Sequence, residues 1–94
     1  MHAVGGELSY WRTPSGNEVD FLWTRGARAI GIEVKASPRW HPEHGAGLKA
    51  LVEEKVVKQG FGVYLGDLEL RDGPLRVLPL RRFLALVAEG EIFA

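Results

Sequence analysis

Two alternating segments on either side of a short turn constrain the fold of this chain more than any other feature. Residues 18–35 read EVDFLWTRGARAIGIEVK, and polar and apolar side chains alternate both before and after Gly26. Alternation of this kind is typical of half-buried β-strands, because successive side chains of a strand point to opposite faces. The segment therefore predicts two adjacent antiparallel strands with one apolar face and one polar face.

Symmetric pairing of these strands about Gly26 predicts which residues lie opposite each other. Asp20 falls opposite Glu33, and the same register places Glu18 opposite Lys35 on the same face. The other face is the predicted core side and carries Val19, Phe21, Trp23, Ile30, Ile32 and Val34. Directly opposed residues have Cβ atoms about 4.5–5.5 Å apart, so two carboxylates at such positions are close enough to share a hard divalent cation.

The polar face allows two interpretations. In the first, it is an ordinary solvated face on which Glu18 and Lys35 form a cross-strand ion pair. That interpretation does not explain why Asp20 is opposite Glu33, since like charges opposite one another destabilise a sheet unless something positive lies between them. In the second, the two carboxylates form a metal site, which does explain the pairing.

The rest of the chain predicts a mixed sheet with two helices. In chain order the predicted elements are strands at 8–13, 18–23 and 29–36, a helix at 48–59 that stops at Gly60, strands at 60–67 and 75–80 with turns at 14–17 and 71–74, and a helix at 81–89 that ends at Gly90. A strand, helix and strand in succession usually form a parallel crossover, whereas the first three strands and the last hairpin should be antiparallel. The predicted fold class is α/β (α+β), with about five strands in a single domain over residues 1–94.

Composition excludes several classes of protein. The 94 residues include 12 basic and 12 acidic side chains, and 46% of the residues are hydrophobic, as in an ordinary globular domain. This charge balance argues against strong nonspecific binding to nucleic acid. The absence of cysteine excludes disulfides and Cys-based zinc sites. Because the sequence also shows neither a signal peptide nor a membrane-spanning run, it predicts a cytoplasmic protein without a membrane partner.

The order of these motifs resembles that of the PD-(D/E)XK nuclease superfamily, which has a restriction-endonuclease-like fold. The resemblance rests on Asp20 in one strand, a turn, and the acidic-x-Lys triplet from Glu33 to Lys35 in the next strand, followed by a helix and another strand. More narrowly, YWRTPSGNEVDFLW, GIEVKAS and GLKALVEEKVVKQGFGVYLGD are similar to a C-terminal domain of unknown function that follows an AAA-type ATPase domain in many prokaryotic proteins.

The resemblance implies metal-dependent phosphodiester hydrolysis of DNA or RNA, with Mg²⁺ or Mn²⁺ as the cofactor. Asp20 and Glu33 would bind the metal, and the carbonyl of Val34 would be a further ligand. Lys35 would orient or activate the attacking water, which makes Asp20, Glu33 and Lys35 the candidate catalytic residues. Glu18 is an auxiliary candidate. Val19 stands where the superfamily motif has its proline.

The start of the chain adds two expectations. Only residues 1–7 precede LSYWRT, so the sheet is expected to lack the first helix of the superfamily, and the chain is expected to be a fragment or a reduced relative of a larger ATPase-linked protein. A sheet edge without that cover invites pairing with another chain, which predicts a homodimer. The alternative to a nuclease is a non-catalytic module that binds nucleic acid or a partner, or that helps an AAA-type ATPase to assemble.

Other conspicuous residues favour simpler interpretations. The segment HPEH offers His41, Glu43 and His44 as metal ligands, but its prolines and the lack of a helix favour a surface loop. The tryptophans could stack on nucleobases, although aromatic residues in strands more often pack in a core. The basic residues that could contact a phosphate backbone are Arg25, Arg28, Lys49, Lys55 and Lys58, and a solvated surface explains the lysines equally well.

Overall fold

The computed structural model describes residues 7–12, 18–26 and 28–92, and for 10–12 and 18–20 it describes the backbone alone. The elements are β1 (Glu7–Arg12), β2 (Glu18–Arg25), β3 (Arg28–Lys35), a 3₁₀ turn (Pro42–Gly45), α1 (Ala46–Glu53), β4 (Gln59–Tyr64), β5 (Leu70–Asp72), β6 (Leu75–Pro79) and α2 (Leu80–Ala88). The turn predicted at 14–17 lies outside the described residues. Of the helices in the described ranges, none has the length and apolar character needed to cross a bilayer.

The strands form one mixed sheet in the order β1-β2-β3-β4-β6-β5, which confirms the predicted fold class with one strand more than expected. β1, β2 and β3 pair antiparallel, and β3 pairs parallel with β4 across α1, both as predicted. The predicted antiparallel pairing of the last two long strands is wrong, because β4 and β6 are parallel. The antiparallel partner of β6 is instead β5, a short strand that the sequence analysis had assigned partly to a turn.

Hydrogen bonds at the end of β4 account for this difference. The N–H of Leu65 donates to the carbonyl of Ser37 at 2.9 Å, and the hydroxyl of Tyr64 donates to the carbonyl of Leu68 at 2.6 Å. These bonds hold residues 65–69 at the end of the sheet, so the chain reaches the far side of β6 before β5 begins. A tight turn at Gly73, with φ of +59°, then reverses the chain into β6.

The first helix ends earlier than predicted, at Glu53, because a left-handed residue closes it. Lys55 has φ of +63° and donates its N–H to the carbonyl of Val52 at 3.0 Å. The next N–H, of Val56, donates to the carbonyl of Leu51 at 2.9 Å. These two bonds form a Schellman motif, which satisfies the last helical carbonyls and stops the helix.

Burial explains why the helix must stop there. Val57 is completely buried, and β4 begins at Gln59. Residues 54–59 therefore have helical spacing in the sequence but do not belong to α1. Gly60, predicted as the helix stop, lies inside β4. The second helix ends with Gly90 in a left-handed conformation at φ of +76°, as predicted.

Each face of the sheet packs against one helix. Phe83 and Leu86 of α2 cover the predicted core side, where the buried cluster contains Trp23, Ile30, Ile32, Phe61, Val63, Leu78 and Ile92. On the opposite face α1 contributes Leu48 to a second cluster with Val57, Tyr64, Leu75 and Val77. The face of the hairpin that carries Glu33 is therefore not simply solvated, because α1 covers its β3 side.

Glycines allow α1 to lie close to the sheet. A Cβ atom added to Gly60 would lie 2.5 Å from Cδ2 of Leu75 and 2.9 Å from Cγ2 of Val52. A Cβ atom added to Gly31 would overlap the side chain of Leu48. Because these glycines have no side chain, α1 can lie close to β3, next to Glu33.

Candidate functional site

Strands β2 and β3 pair in the register that their alternation predicts. Asp20 is the partner of Glu33 in the ladder. Glu18 is the partner of Lys35. Gly26, at φ of +60°, supplies the tight turn that sets this register. The four positions therefore fall on one face of the hairpin, the face that α1 covers in part.

Glu33 is a charged residue of the interior, with a side chain that is 5% exposed. It follows Gly31, against which Leu48 packs, and precedes Lys35, which is half-buried on the same face. A buried carboxylate is costly unless a cation or hydrogen-bond donors offset its charge. Glu33 is therefore positioned to act strongly on a cation or a proton donor nearby.

A cavity of about 450 Å³ opens beside Glu33. Its floor is the β2–β3 hairpin, including Leu22, and its wall is formed by α1 and the 3₁₀ turn, including Glu43, His44 and Gly47. This volume lies in the range of about 300–1,000 Å³ that is usual for small-molecule sites. We call this space the hairpin–helix cavity. It gives Glu33 a space that a ligand can enter.

Two side chains of the HPEH segment line the hairpin–helix cavity, which the sequence analysis did not anticipate. Glu43 is exposed as expected, but the segment forms a 3₁₀ turn instead of the predicted loop, and His44 is half-buried. The N–H of His41 donates to Nδ1 of His44 at 3.1 Å, so the neutral ring of His44 carries its proton on Nε2. Pro42 at the first position of a helical turn is a known start signal, and it could have indicated an ordered segment.

A network of hydrogen bonds fixes the 3₁₀ turn against the sheet. Nε1 of Trp40 donates to Oδ2 of Asp72 at 2.8 Å, and Nζ of Lys49 donates to Oδ1 of Asp72 at 2.9 Å. Lys49 also donates to the carbonyl of Pro42 at 2.8 Å. The ring of Trp40 lies on Gly62, where an added Cβ atom would be 2.6 Å from Cη2. The network links α1, β4 and β5 to the turn that carries Glu43 and His44.

Comparison with known families finds a match over most of the chain. The family described as Domain of unknown function (DUF4143) matches residues 2–83, which include the hairpin, the 3₁₀ turn and α1. The chain belongs to the DUF4143 family. No curated protein and no solved structure shows a significant match. The candidate site of this DUF4143 domain lies entirely within the matched residues.

The residue types at the paired positions of the DUF4143 domain, both carboxylates, are of the kind that binds a hard cation. Among the side chains that the structure describes, no three His, Asp or Glu residues group closely enough to hold a metal ion. The side chains of Glu18 and Asp20 are not among those described. The metal prediction therefore rests on the backbone pairing of Asp20 with Glu33. Carboxylates at directly opposed positions are the oxygen ligands that Mg²⁺ and Mn²⁺ prefer.

Asp72 should make the stability of the DUF4143 domain sensitive to acid. Partial burial pushes the pKa of Asp72 up, but the hydrogen bonds from Lys49 and Trp40 outweigh it and hold the pKa below the ordinary value of 3.8. The stabilisation from Asp72 is therefore complete above the pKa that its carboxyl has in the unfolded chain. It is lost as the pH falls through the lower pKa that the carboxyl has in the folded domain. Asp72→Ala is expected to lower the free energy of unfolding at pH 7 by about 1–3 kcal/mol, since it leaves two donors without their acceptor.

The control for Asp72 is Glu69, whose exposed carboxylate accepts a hydrogen bond from Nε of Arg76 at 2.7 Å. Because surface ion pairs contribute little, Glu69→Ala should hardly change stability. Urea denaturation between pH 7 and pH 2.5 measures both variants. If the free energy of unfolding falls with decreasing pH equally in Asp72→Ala and in the wild type, this assignment is wrong.

Proposed function

We propose that this DUF4143 domain carries a metal-dependent nuclease site of the PD-(D/E)XK kind on a restriction-endonuclease-like sheet. The observation that carries the proposal is the register of β2 and β3, which sets Glu18 opposite Lys35 and sets Asp20 opposite Glu33, a residue that lines the hairpin–helix cavity. The substrate class is nucleic acid, and the reaction is hydrolysis of a phosphodiester bond.

The proposed roles are those that the resemblance to the PD-(D/E)XK superfamily implies. Asp20 and Glu33 bind Mg²⁺ or Mn²⁺, together with the carbonyl of Val34. A cation at this place offsets charge on the phosphate and lowers the pKa of a bound water. Because Glu33 is 5% exposed, its charge acts through a medium that screens it less than water does.

Lys35 supplies the positive charge of the site. It lies two residues after Glu33 on the same strand face, about 7 Å away between Cα atoms, so both side chains reach the same phosphate. Its ammonium donates hydrogen bonds to a phosphate oxygen or to the attacking water. Glu18, the ladder partner of Lys35, is the auxiliary residue of the proposed site.

The rigidity of the sheet supports this assignment. β3 lies between β2 and β4 in the sheet, and it is hydrogen-bonded on both sides. Groups mounted on such a strand are held more accurately than groups on a loop. The carboxylate of Glu33 and the ammonium of Lys35 thus start from fixed backbone positions.

The setting of the domain is also part of the proposal. Membership of the DUF4143 family is compatible with a position behind an AAA-type ATPase domain. We place the whole protein in the cytoplasm as part of the proposal. β1 is an edge strand, and the exposed side chain of Leu8 lies on it, so pairing of two copies along β1 gives a homodimer. Light scattering at high micromolar concentration measures this assembly, and a strict monomer contradicts it.

A second candidate function is a non-catalytic module that contacts a partner domain. Leu80 and Leu84 are exposed on one side of α2, four residues apart, and Leu65 is exposed next to Leu80 in a shallow pocket. Exposed apolar residues grouped in this way often mark a protein contact. The balanced charge of the chain also suits a protein partner better than nonspecific binding to nucleic acid.

Metal-dependent melting tests the nuclease proposal directly. Millimolar Mg²⁺ or Mn²⁺ is expected to raise the melting temperature, because a ligand that binds only the folded state stabilises it by mass action. Asp20→Asn should raise the melting temperature without metal and abolish the response to metal, since it removes both the carboxylate repulsion and a ligand. Glu53→Gln, at an exposed position on α1, is the matched control and should keep the wild-type response.

Cleavage assays on single-stranded DNA, duplex DNA and RNA complete the test. Metal-dependent cleavage that is lost in Asp20→Asn supports the nuclease. A metal response without cleavage of any of the three supports the non-catalytic module. If the wild type does not respond to metal and Asp20→Asn melts like the wild type, the facing-carboxylate site is wrong.

A further inference from the structure

The hairpin–helix cavity has a volume of about 450 Å³. Beyond Glu33 its surface is mainly apolar, with Leu22 on the floor and Leu48 and Leu51 on the wall. Polar groups return at the 3₁₀ turn, where Glu43 and His44 line the same space. An apolar cavity with a few polar groups is the usual form of a small-molecule site, and this arrangement suits a flat ring with a polar edge.

We propose that the hairpin–helix cavity binds one unstacked nucleobase of the strand whose phosphate is at Asp20 and Glu33, and that it prefers a base with an exocyclic amino group. The inference rests on the proposed function and extends it by naming the part of the substrate that the domain reads. Enzymes that act on single strands commonly hold a splayed base between apolar or aromatic side chains and bond its edge.

Continuity between the two sites supports this occupant. In a nucleic acid strand the base and its phosphate are joined through one sugar, so a base site must adjoin the phosphate site. Here Glu33 belongs to both, since it is the proposed metal ligand and also lines the cavity. The apolar wall then receives the faces of the ring, and the base leaves water as it enters.

The polar rim favours bases with an amino group. Glu43 presents a carboxylate, which accepts hydrogen bonds from the amino groups of cytosine, adenine or guanine, whereas thymine and uracil have no amino group. His44 forms a fixed side of the rim, because His41 bonds its Nδ1 and its ring packs edge-on to Trp40 at 5.5 Å between centroids. A rim that is already ordered loses little conformational entropy on binding.

Gly47 marks the space where the base would lie. It sits inside α1 and lines the cavity, yet a Cβ atom added there would meet no other atom within 4 Å. A larger side chain at this position would therefore fill the cavity without disturbing the packed core.

Binding of short single-stranded oligonucleotides tests the inference. The probes are oligodeoxycytidine, oligodeoxythymidine and an abasic strand of equal length, with Ca²⁺ replacing Mg²⁺ to limit cleavage. Gly47→Leu is expected to weaken binding of oligodeoxycytidine about tenfold or more, the usual effect of losing one base contact. Ala46→Leu, at an adjacent exposed position outside the cavity lining, is the matched control and should bind like the wild type.

The remaining arms test the base preference. The wild type should bind oligodeoxycytidine more tightly than oligodeoxythymidine, and Glu43→Gln should reduce that preference. The abasic strand should bind weakly and equally to the wild type and to Gly47→Leu. Melting temperatures confirm that each variant is folded, and Gly47→Ala, which fills less space, replaces Gly47→Leu if the latter is unfolded.

The outcomes separate this inference from the nuclease proposal. If the wild type cleaves DNA in Mg²⁺ and folded Gly47→Leu binds and cleaves equally well, the base site is overturned and the nuclease stands. If oligodeoxycytidine binding depends on Gly47 but no strand is cleaved, the base site stands and the nuclease fails. Equal binding of the abasic strand and oligodeoxycytidine by the wild type overturns the base site.

Discussion

Lys35→Ala is expected to lower the rate of metal-dependent cleavage by about 10²-fold or more while the metal still raises the melting temperature. Lys35 is proposed to donate to the phosphate or to the water and not to bind the metal. Loss of one such preorganised donor typically reduces the rate by about 10²–10³-fold. Single-turnover cleavage and melting curves with and without Mg²⁺ measure the two effects on the same samples.

The matched control for Lys35→Ala is Lys58→Ala. Lys58 is exposed between α1 and β4, and its N–H, which the substitution keeps, donates to the carbonyl of Ala29. It should cleave at the wild-type rate. Cleavage by Lys35→Ala at the wild-type rate would remove Lys35 from the site. Loss of both cleavage and the metal response would show that Lys35 has a structural role.

Trp40→Ala is expected to lower the free energy of unfolding by about 3–5 kcal/mol, the usual range for removing a large aromatic side chain from a packed site. The ring lies on Gly62 and packs edge-on to Tyr64 at 6.5 Å between centroids, and its Nε1 donates to Asp72 at 2.8 Å. For a domain of this size each kcal/mol shifts the melting temperature by about 4–8 °C, so the effect is large. Urea denaturation with an intrinsic fluorescence signal measures it.

Trp40→Phe separates the ring from its hydrogen bond. It keeps most of the aromatic surface but removes the donor to Asp72, so the expected loss is about 1–2 kcal/mol. Leu84→Ala, at an exposed position on α2, is a surface control that should change stability little. A loss below about 1 kcal/mol for Trp40→Ala would mean that the ring does not anchor the 3₁₀ turn.

Register is the part of the candidate site that could be predicted from the sequence. β2 and β3 alternate with period two and meet at a short turn, and a slip of one residue would move every apolar side chain to the wrong face. That penalty excludes a slip of one residue, and the short turn at Gly26 selects the pairing that sets Asp20 opposite Glu33. Local patterns were equally sufficient for the end of α2, where Gly90 adopts the left-handed conformation that a C-terminal glycine favours.

The order of the last strands could not be predicted in the same way. The sequence contains two apolar runs separated by a turn, which is the usual pattern of a hairpin. The parallel pairing of β4 with β6 depends on the path of residues 65–69, which is held in part by the bond from Leu65 to Ser37. Contacts between segments so far apart leave no periodic trace in the sequence.

The sequence by itself determined the hairpin and the paired positions of its charged residues, because the pattern that specifies them is local. The tertiary structure alone decided that Glu33 is buried and that Glu43 and His44 line a cavity beside it. Both results come from docking: α1 reaches β3 because Gly31 has no side chain, and the 3₁₀ turn is held through Trp40 and Asp72. The free energy of such docking lies in packing and side-chain hydrogen bonds between distant residues, which a sequence read along its length does not display.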